Sequence, residues 1–293
     1  MSTISKLGKI GPYHADIDGL TQTGGIRGPF EHVGVDDTSA VTYPMLWNHE
    51  AARERCMCFE GDSEGLVRTG ASANKIANIW KSRSHCHFNQ NLRFNSQSTP
   101  MQFTQRSTLG GRAWTSIQLS DIESEKVLVA WANTSLGILL HWYHANKQQS
   151  GRGNVVPTSL TNLPVIDVKS LTSVQVAAAV QIFDDFCYKE LLTIENLDLD
   201  PVRHELDRRF LSEIIGLPQD LLGPGGPVDL MRKKLCQEPS MTGRRKGTAK
   251  RKPKDDGPIA SSKSKKAKVS EKKKTVQLRK DKPTPIKSEP LFG

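Results

Sequence analysis

HFNQNLRFNSQST, residues 87–99, carries five side-chain amides in thirteen residues, set among Phe88, Leu92 and Phe94. An amide brings both a donor and an acceptor, and a buried one needs partners for both. Phe88, Gln90, Leu92 and Phe94 alternate with Asn89, Asn91, Arg93 and Asn95. That period of two predicts a strand with one mostly apolar face that packs and one face of three amides and a guanidinium. RAWTSIQL, residues 112–119, alternates in the same way. Two readings of the amides stand side by side at this point. They present polar groups to a ligand, or they cap turns and satisfy loop backbone, as Asn commonly does.

Beyond about residue 125 the pattern becomes helical. Residues 126–146 read as one mostly buried helix, and Thr172-Ser-Val-Gln175 is a capping box opening another through VAAAVQIFDDFCYKELL. A third has Asp200 as N-cap, Pro201 at the first helical position and a stop at Gly216 and Pro218. Arg203 and Asp207 within it stand at i, i+4 and read as an exposed ion pair. The chain is therefore expected to be an α+β protein. A strand-rich part over 1–125 precedes a helical part of the same folded body over 126–236. A disordered Lys-rich tail follows over 237–293, with almost no large apolar residues to bury.

Charge is unevenly placed. Residues 239–293 hold 18 Lys or Arg against 5 Asp or Glu, so the tail carries +13 while the other 238 residues sum to −3. Within that mildly acidic body no acid occurs between Glu64 and Asp121, a span holding Arg68, Lys75, Lys81, Arg83, Arg93, Arg106 and Arg112. A second acid-free interval, between Glu125 and Asp167, holds Lys126, Lys147 and Arg152 beside Gln148, Gln149 and Asn154. Such a distribution suits a polyanion. Asn and Gln can pair bidentately with adenine, Arg with guanine, while Lys and backbone amides hold phosphates. The candidate DNA contacts are Asn89, Asn91, Arg93, Asn95, Gln97, Arg106 and Arg112. To these are added Gln148, Gln149 and Gly151-Arg152-Gly153, whose glycines would let backbone approach a phosphate while Arg152 clamps it. Lys250, Arg251, Lys252, Lys265 and Lys266 of the tail would add sequence-independent, salt-sensitive affinity. The tail also reads as a solubilising extension or, in a eukaryotic host, a nuclear import signal.

Other classes fit poorly. Cys56-Met-Cys58 and His85-Cys86-His87 lack the usual zinc spacing, so no metal is expected and the five cysteines read as ordinary thiols of a reducing compartment. VLVAWANTSLGILLHWY, residues 127–143, is interrupted by polar residues and barely long enough to span a bilayer, so a buried helix is expected and no membrane partner. No Walker loop occurs. The chain has no secretory leader pattern, and the expected location is the cytoplasm or nucleoid, or the nucleus of a eukaryote.

FNQNLRFNSQST, LGGRAW, WANTSLGILLHWYHANKQQSGRG and NLPVIDVKSLT, with the Leu-Trp-Asn of YPMLWNH, occur in order over roughly residues 10–217. Together they resemble the C-terminal target-recognition part of large N6-adenine DNA methyltransferases of restriction–modification and phage-defence systems. The resemblance implies recognition of double-stranded DNA, and a helix opening at Asn133-Thr134-Ser135-Leu136-Gly137 in which Asn133 and Gly137 are structural. The catalytic half is missing. The chain has 16 prolines and no Pro-Pro pair, hence no Asn/Asp-Pro-Pro-Tyr motif to hold a flipped adenine. No catalytic residue or cofactor is therefore expected in this chain, and S-adenosylmethionine would belong to a separate catalytic subunit. The alternative expectation is a nonspecific, chromosome-associated DNA-binding protein acting through its basic tail.

Overall fold

The computed structural model describes residues 7–9, 29–33, 42–47, 49–50, 53–111, 114–160 and 162–243. Arg112 and the five tail positions lie outside the described residues.

The strand-rich part is one mixed sheet around a ten-residue strand, Met101–Gly110. Its members are β2 (Phe30–Val33), β3 (Thr42–Leu46), β4 (Cys58–Phe59), β5 (Ser63–Val67), β6 (Ser84–Asn89), β7 (Met101–Gly110) and β8 (Trp114–Ile117). Two further ladders lie apart from it. β1 (Leu7–Lys9) pairs with β11 (Pro164–Ile166), and β9 (Asn146–Gln148) pairs with β10 (Arg152–Asn154). One edge of β7 is shared by two short parallel partners, with Cys58 opposite Phe103 and Met45 opposite Leu109. The other edge pairs antiparallel with β6, which continues to β8. The alternation at 112–119 is thus realised as β8, buried along its whole length.

Of the longer helices, one lies between β5 and β6 and the rest follow the sheet in the chain. They are α1 (Ala73–Trp80), α2 (Ile122–Ala132), α3 (Ser135–His144), α4 (Ser173–Phe186), α5 (Pro201–Arg209) and α6 (Pro227–Gln237). α2 packs on β6, β7 and α4, so the strand-rich and helical parts share one core. Phe88, Phe94 and Phe103 meet Trp131, Phe183 and Phe210 there. Each such fully buried side chain contributes about 1.5–3 kcal/mol.

The single helix expected over 126–146 is two helices. Asn133 caps α2, its amide donating to the carbonyls of Val129 and Met101 at 2.9 Å each. Thr134 then caps α3 by accepting from Gly137 N–H at 3.1 Å. Gly137 is required at this crossing, because a Cβ would stand 2.7 Å from the Ala132 carbonyl oxygen. The capping box at Thr172 and Gln175 is present. Asp200 caps α5 with Pro201 in its first turn, and a five-residue π-turn over Phe210–Ile214 leads to Gly216 at φ +81°.

The expected surface pair in α5 is corrected. Arg203 and Asp207 are both 0% exposed. They share a stripe with Phe210 and Ile214, at spacings of four, three and four, so the face they occupy is the core face.

Candidate functional site

The stretch over residues 87–99 is not one continuous strand. β6 ends at Asn89, whose side-chain oxygen accepts from Asn91 N–H at 3.0 Å and turns the chain. Gln90 donates to the Thr115 hydroxyl. Asn91 accepts from the Asn154 amide. Gln97 closes the next turn by accepting from Arg93 N–H at 2.6 Å, while its own amide nitrogen donates to the Glu54 carboxylate. Glu54 is itself buried and also accepts from Glu50 N–H at 2.7 Å and faces His49 Nδ1 at 3.0 Å. Four of the five amides are therefore committed within the protein.

β9 and β10 form a hairpin joined by Gln149, Ser150 and Gly151. Its free edge is taken by the turn region of the first stretch. Phe94 N–H donates to Gly151 C=O, Gly153 N–H to Leu92 C=O and Val155 N–H to Gln90 C=O, all at 2.9 Å. The bonds flank Arg93 and Arg152 without joining them, so those two form a non-hydrogen-bonded antiparallel pair. Side chains of such a pair leave the same face and stand close together. Arg152 is paired on its other side with Gln148, which completes a row of Gln148, Arg152 and Arg93 across three strands.

Beside that row lies a cleft of about 590 Å³ lined by Arg93, Asn95, Ser96, Gln149, Ser150 and Arg152. Among the described residues neither guanidinium has a carboxylate partner, and no acid lines the cleft. Two like charges facing each other across strands cost stability. An anion between them removes the repulsion and gains charge-assisted hydrogen bonds. Backbone strain collects at the same place. Ser150 has φ +63° and Gly151 φ +70°, and a non-glycine residue in that region costs roughly 1–2 kcal/mol.

The residues expected to touch DNA divide sharply. Arg93, Asn95, Gln149 and Arg152 line the cleft, and Gln148 extends its row. Asn89 is 0% exposed and Gln97 4%, so both side chains are enclosed and shape the turns that present Arg93. Asn91 is spent on Asn154, and Arg106 is ion-paired with Glu64 at 2.8 Å. A Cβ on Gly153 would stand 2.7 Å from the Phe94 ring, and one on Gly151 2.7 Å from the Met241 carbonyl oxygen. Both permit close packing within the protein. Ser96 and Ser150 were not singled out by sequence reasoning, although each sits between residues that were. Glu54 and His49 gave no local signal, because their partner Gln97 is more than forty residues away. Among the described residues no group of three or more His, Cys, Asp or Glu could hold a metal ion, and no helix is long and apolar enough to cross a membrane.

No family model matches this chain, and no curated protein does. A solved structure similar to it is that of the type IIG restriction endonuclease BpuSI, at 13% identity and a TM-score of 0.40. The similarity covers 76% of this chain and 32% of that one, so the chain spans about a third of the enzyme's length.

Proposed function

We propose that the chain is the DNA-binding target-recognition part of an N6-adenine methyltransferase system and that its cleft holds a backbone phosphate of duplex DNA. The carrying observation is the Arg93–Arg152 pair, two guanidinium groups on one face with no acid between them. A phosphodiester matches the fork geometry of Arg and neutralises the pair. Asn95 and Gln149 stand in the same cleft and offer the amide donor and acceptor that read an adenine edge. The chain supplies no group for methyl transfer in this reading. A separate polypeptide would carry the Pro-Pro-Tyr motif and S-adenosylmethionine.

A second reading is favoured by the +13 charge of residues 239–293, which would bind DNA without regard to sequence. Selection from a pool of duplexes at low and high salt separates the two. The full chain and a chain ending at Gly243 are compared with their Arg93→Ala and Arg152→Ala variants. Sequence-selective retention at high salt by the shortened chain, lost in either variant, supports recognition by the body. Binding that disappears with the tail overturns it in favour of the second reading.

A further inference from the structure

β4 brings a second set of reactive groups to the end of α4, away from the arginine cleft. Cys58 N–H donates to the Cys187 carbonyl at 2.9 Å, and Cys187 Sγ donates to the Asp184 carbonyl at 3.6 Å. A backbone hydrogen bond between two residues keeps their Cα atoms within the ~4.4–6.8 Å that a disulfide spans. Tyr188 covers the pair. Its hydroxyl is 3.6 Å from Cys58 Sγ and accepts from Gln105 at 2.9 Å, while its carbonyl accepts from Cys56 Sγ at 3.4 Å. Lys126, held by Asp184 at 2.8 Å, supplies the nearby positive charge.

We propose that Cys58 and Cys187 form a reversible dithiol site that a small hydroperoxide oxidises to a disulfide, stapling the sheet to the C-terminal end of α4. The Cys58 thiolate attacks one oxygen of hydrogen peroxide and the O–O bond breaks. Cys58 becomes a sulfenic acid, and the departing hydroxide takes up a proton to give water. Cys187 then attacks the Cys58 sulfur, the S–S bond forms and the S–O bond breaks. The second hydroxide leaves as water with the Cys187 proton. Two thiols and one peroxide thus give one disulfide and two waters.

The surroundings assign the roles. The hydrogen bond from Cys187, helped by Tyr188 and Lys126 against burial, brings the Cys58 thiol down to about 7. The same hydrogen bond and burial push Cys187 up, so Cys58 carries the thiolate and Cys187 keeps the proton. The other three cysteines are discouraged from ionising. Burial raises Cys56 and Cys86, and it pushes Cys236 up to about 11. Thiolate content sets reactivity, which singles out Cys58 among five. Cys58 as a whole is 5% exposed, which favours a small oxidant over a protein disulfide.

The test treats the reduced full-length chain with equimolar hydrogen peroxide, then alkylates and maps peptides without reduction. A Cys58–Cys187 cross-link, two thiols lost and reversal by dithiothreitol are expected. Loss of thiols without that cross-link, or a cross-link through Cys56 or Cys236, overturns the proposal. Cys187→Ser should instead yield a sulfenic acid trapped by dimedone on Cys58. The same adduct on Cys56 would overturn the assignment of the nucleophile. In the unaltered chain the rate of thiol loss should be half-maximal near pH 7, and Lys126→Gln should move that midpoint upward. A profile rising only above pH 8, as for an ordinary thiol, would contradict the site. None of these readouts depends on DNA, so they succeed or fail independently of the recognition reading.

Discussion

Arg203 donates through one guanidinium nitrogen to the backbone carbonyl of Asn133 at 2.6 Å, across 70 residues of chain. A second nitrogen reaches the Ser98 carbonyl at 2.9 Å, and its Nε stands 3.3 Å from Asp200. One buried cation therefore joins the junction between α2 and α3, the loop leading from the cleft into β7, and the cap of its own helix. Asp207 answers from the same helix, accepting from Ser135 N–H at 2.7 Å and facing Arg232 at 3.5 Å. Arg203→Met should destabilise the protein by about 3–5 kcal/mol, because Asp200 and the carbonyl oxygens of Asn133, Ser98 and Leu192 are left buried without their cation. Urea unfolding followed by tryptophan fluorescence measures this. A change under 1 kcal/mol would mean that the network is not a support of the fold.

The arginine pair makes a prediction of the opposite sign. Arg93→Ala or Arg152→Ala removes one of two facing like charges, so the unliganded fold should gain about 0.2–1 kcal/mol at low salt. The same variants should weaken DNA binding and lower the salt slope by about one each, as expected when one phosphate contact is lost. Paired thermal melts and salt-titrated binding check both halves. A variant that melts earlier and binds unchanged would place these side chains in structure and out of recognition.

The hairpin loop offers a third test. Gly151→Ala places a Cβ 2.7 Å from the Met241 carbonyl at φ +70°, and a strained conformation of this kind costs about 1–3 kcal/mol. Ser150→Gly should instead stabilise by about 1 kcal/mol, since glycine adopts φ +63° freely. If Ser150→Gly also weakens binding, the serine hydroxyl is a contact and its strain is retained for that purpose.

Acid should weaken the fold through two imidazoles. Burial lowers His87 and His141 to about 3, while in the unfolded chain an imidazole titrates near 6.5. Both are neutral in both states above that value, so their contribution is fully present there. Between pH 6.5 and 3 the unfolded chain binds protons that the native state refuses. Stability then falls by up to about 1.4 kcal/mol per pH unit for each group. His141 is the cleaner probe, because among the described residues neither ring nitrogen has a hydrogen-bond partner and the ring stacks on Phe88 at 4.9 Å. His141→Phe should reduce the slope of unfolding free energy against pH by up to about 1.4 kcal/mol per pH unit in this window. An unchanged slope would show that His141 does not titrate on unfolding as described.

Much of the helical half was legible because its signals are local. The capping box at Thr172, the Asp200-Pro201 start and the stop at Gly216 all act within a few residues of the groups they satisfy. The period-two pattern over 88–95 also marked the right apolar residues, since Phe88, Leu92 and Phe94 are all buried. The role of the amides stayed open between a ligand and the turns. Asn89 ends a strand and Gln97 closes a turn, and which of these a buried amide does depends on partners such as Glu54 that sit far away in the chain. The split between α2 and α3 was hidden for the same reason. Asn133 stops the first helix by donating to Met101 on the sheet.

By itself, then, the sequence determined that a strand-rich part precedes a helical one, where the strongest caps fall, and that Arg93 and Arg152 lie in stretches free of acids. Those properties depend on neighbours within a turn or on composition. Only the tertiary structure decided that Arg93 and Arg152 face each other while Arg106 is neutralised by Glu64 and Arg203 is buried against Asp200. A guanidinium is the same group in all four places. Coulomb attraction and desolvation depend on what stands a few ångströms away, and chain folding sets that distance.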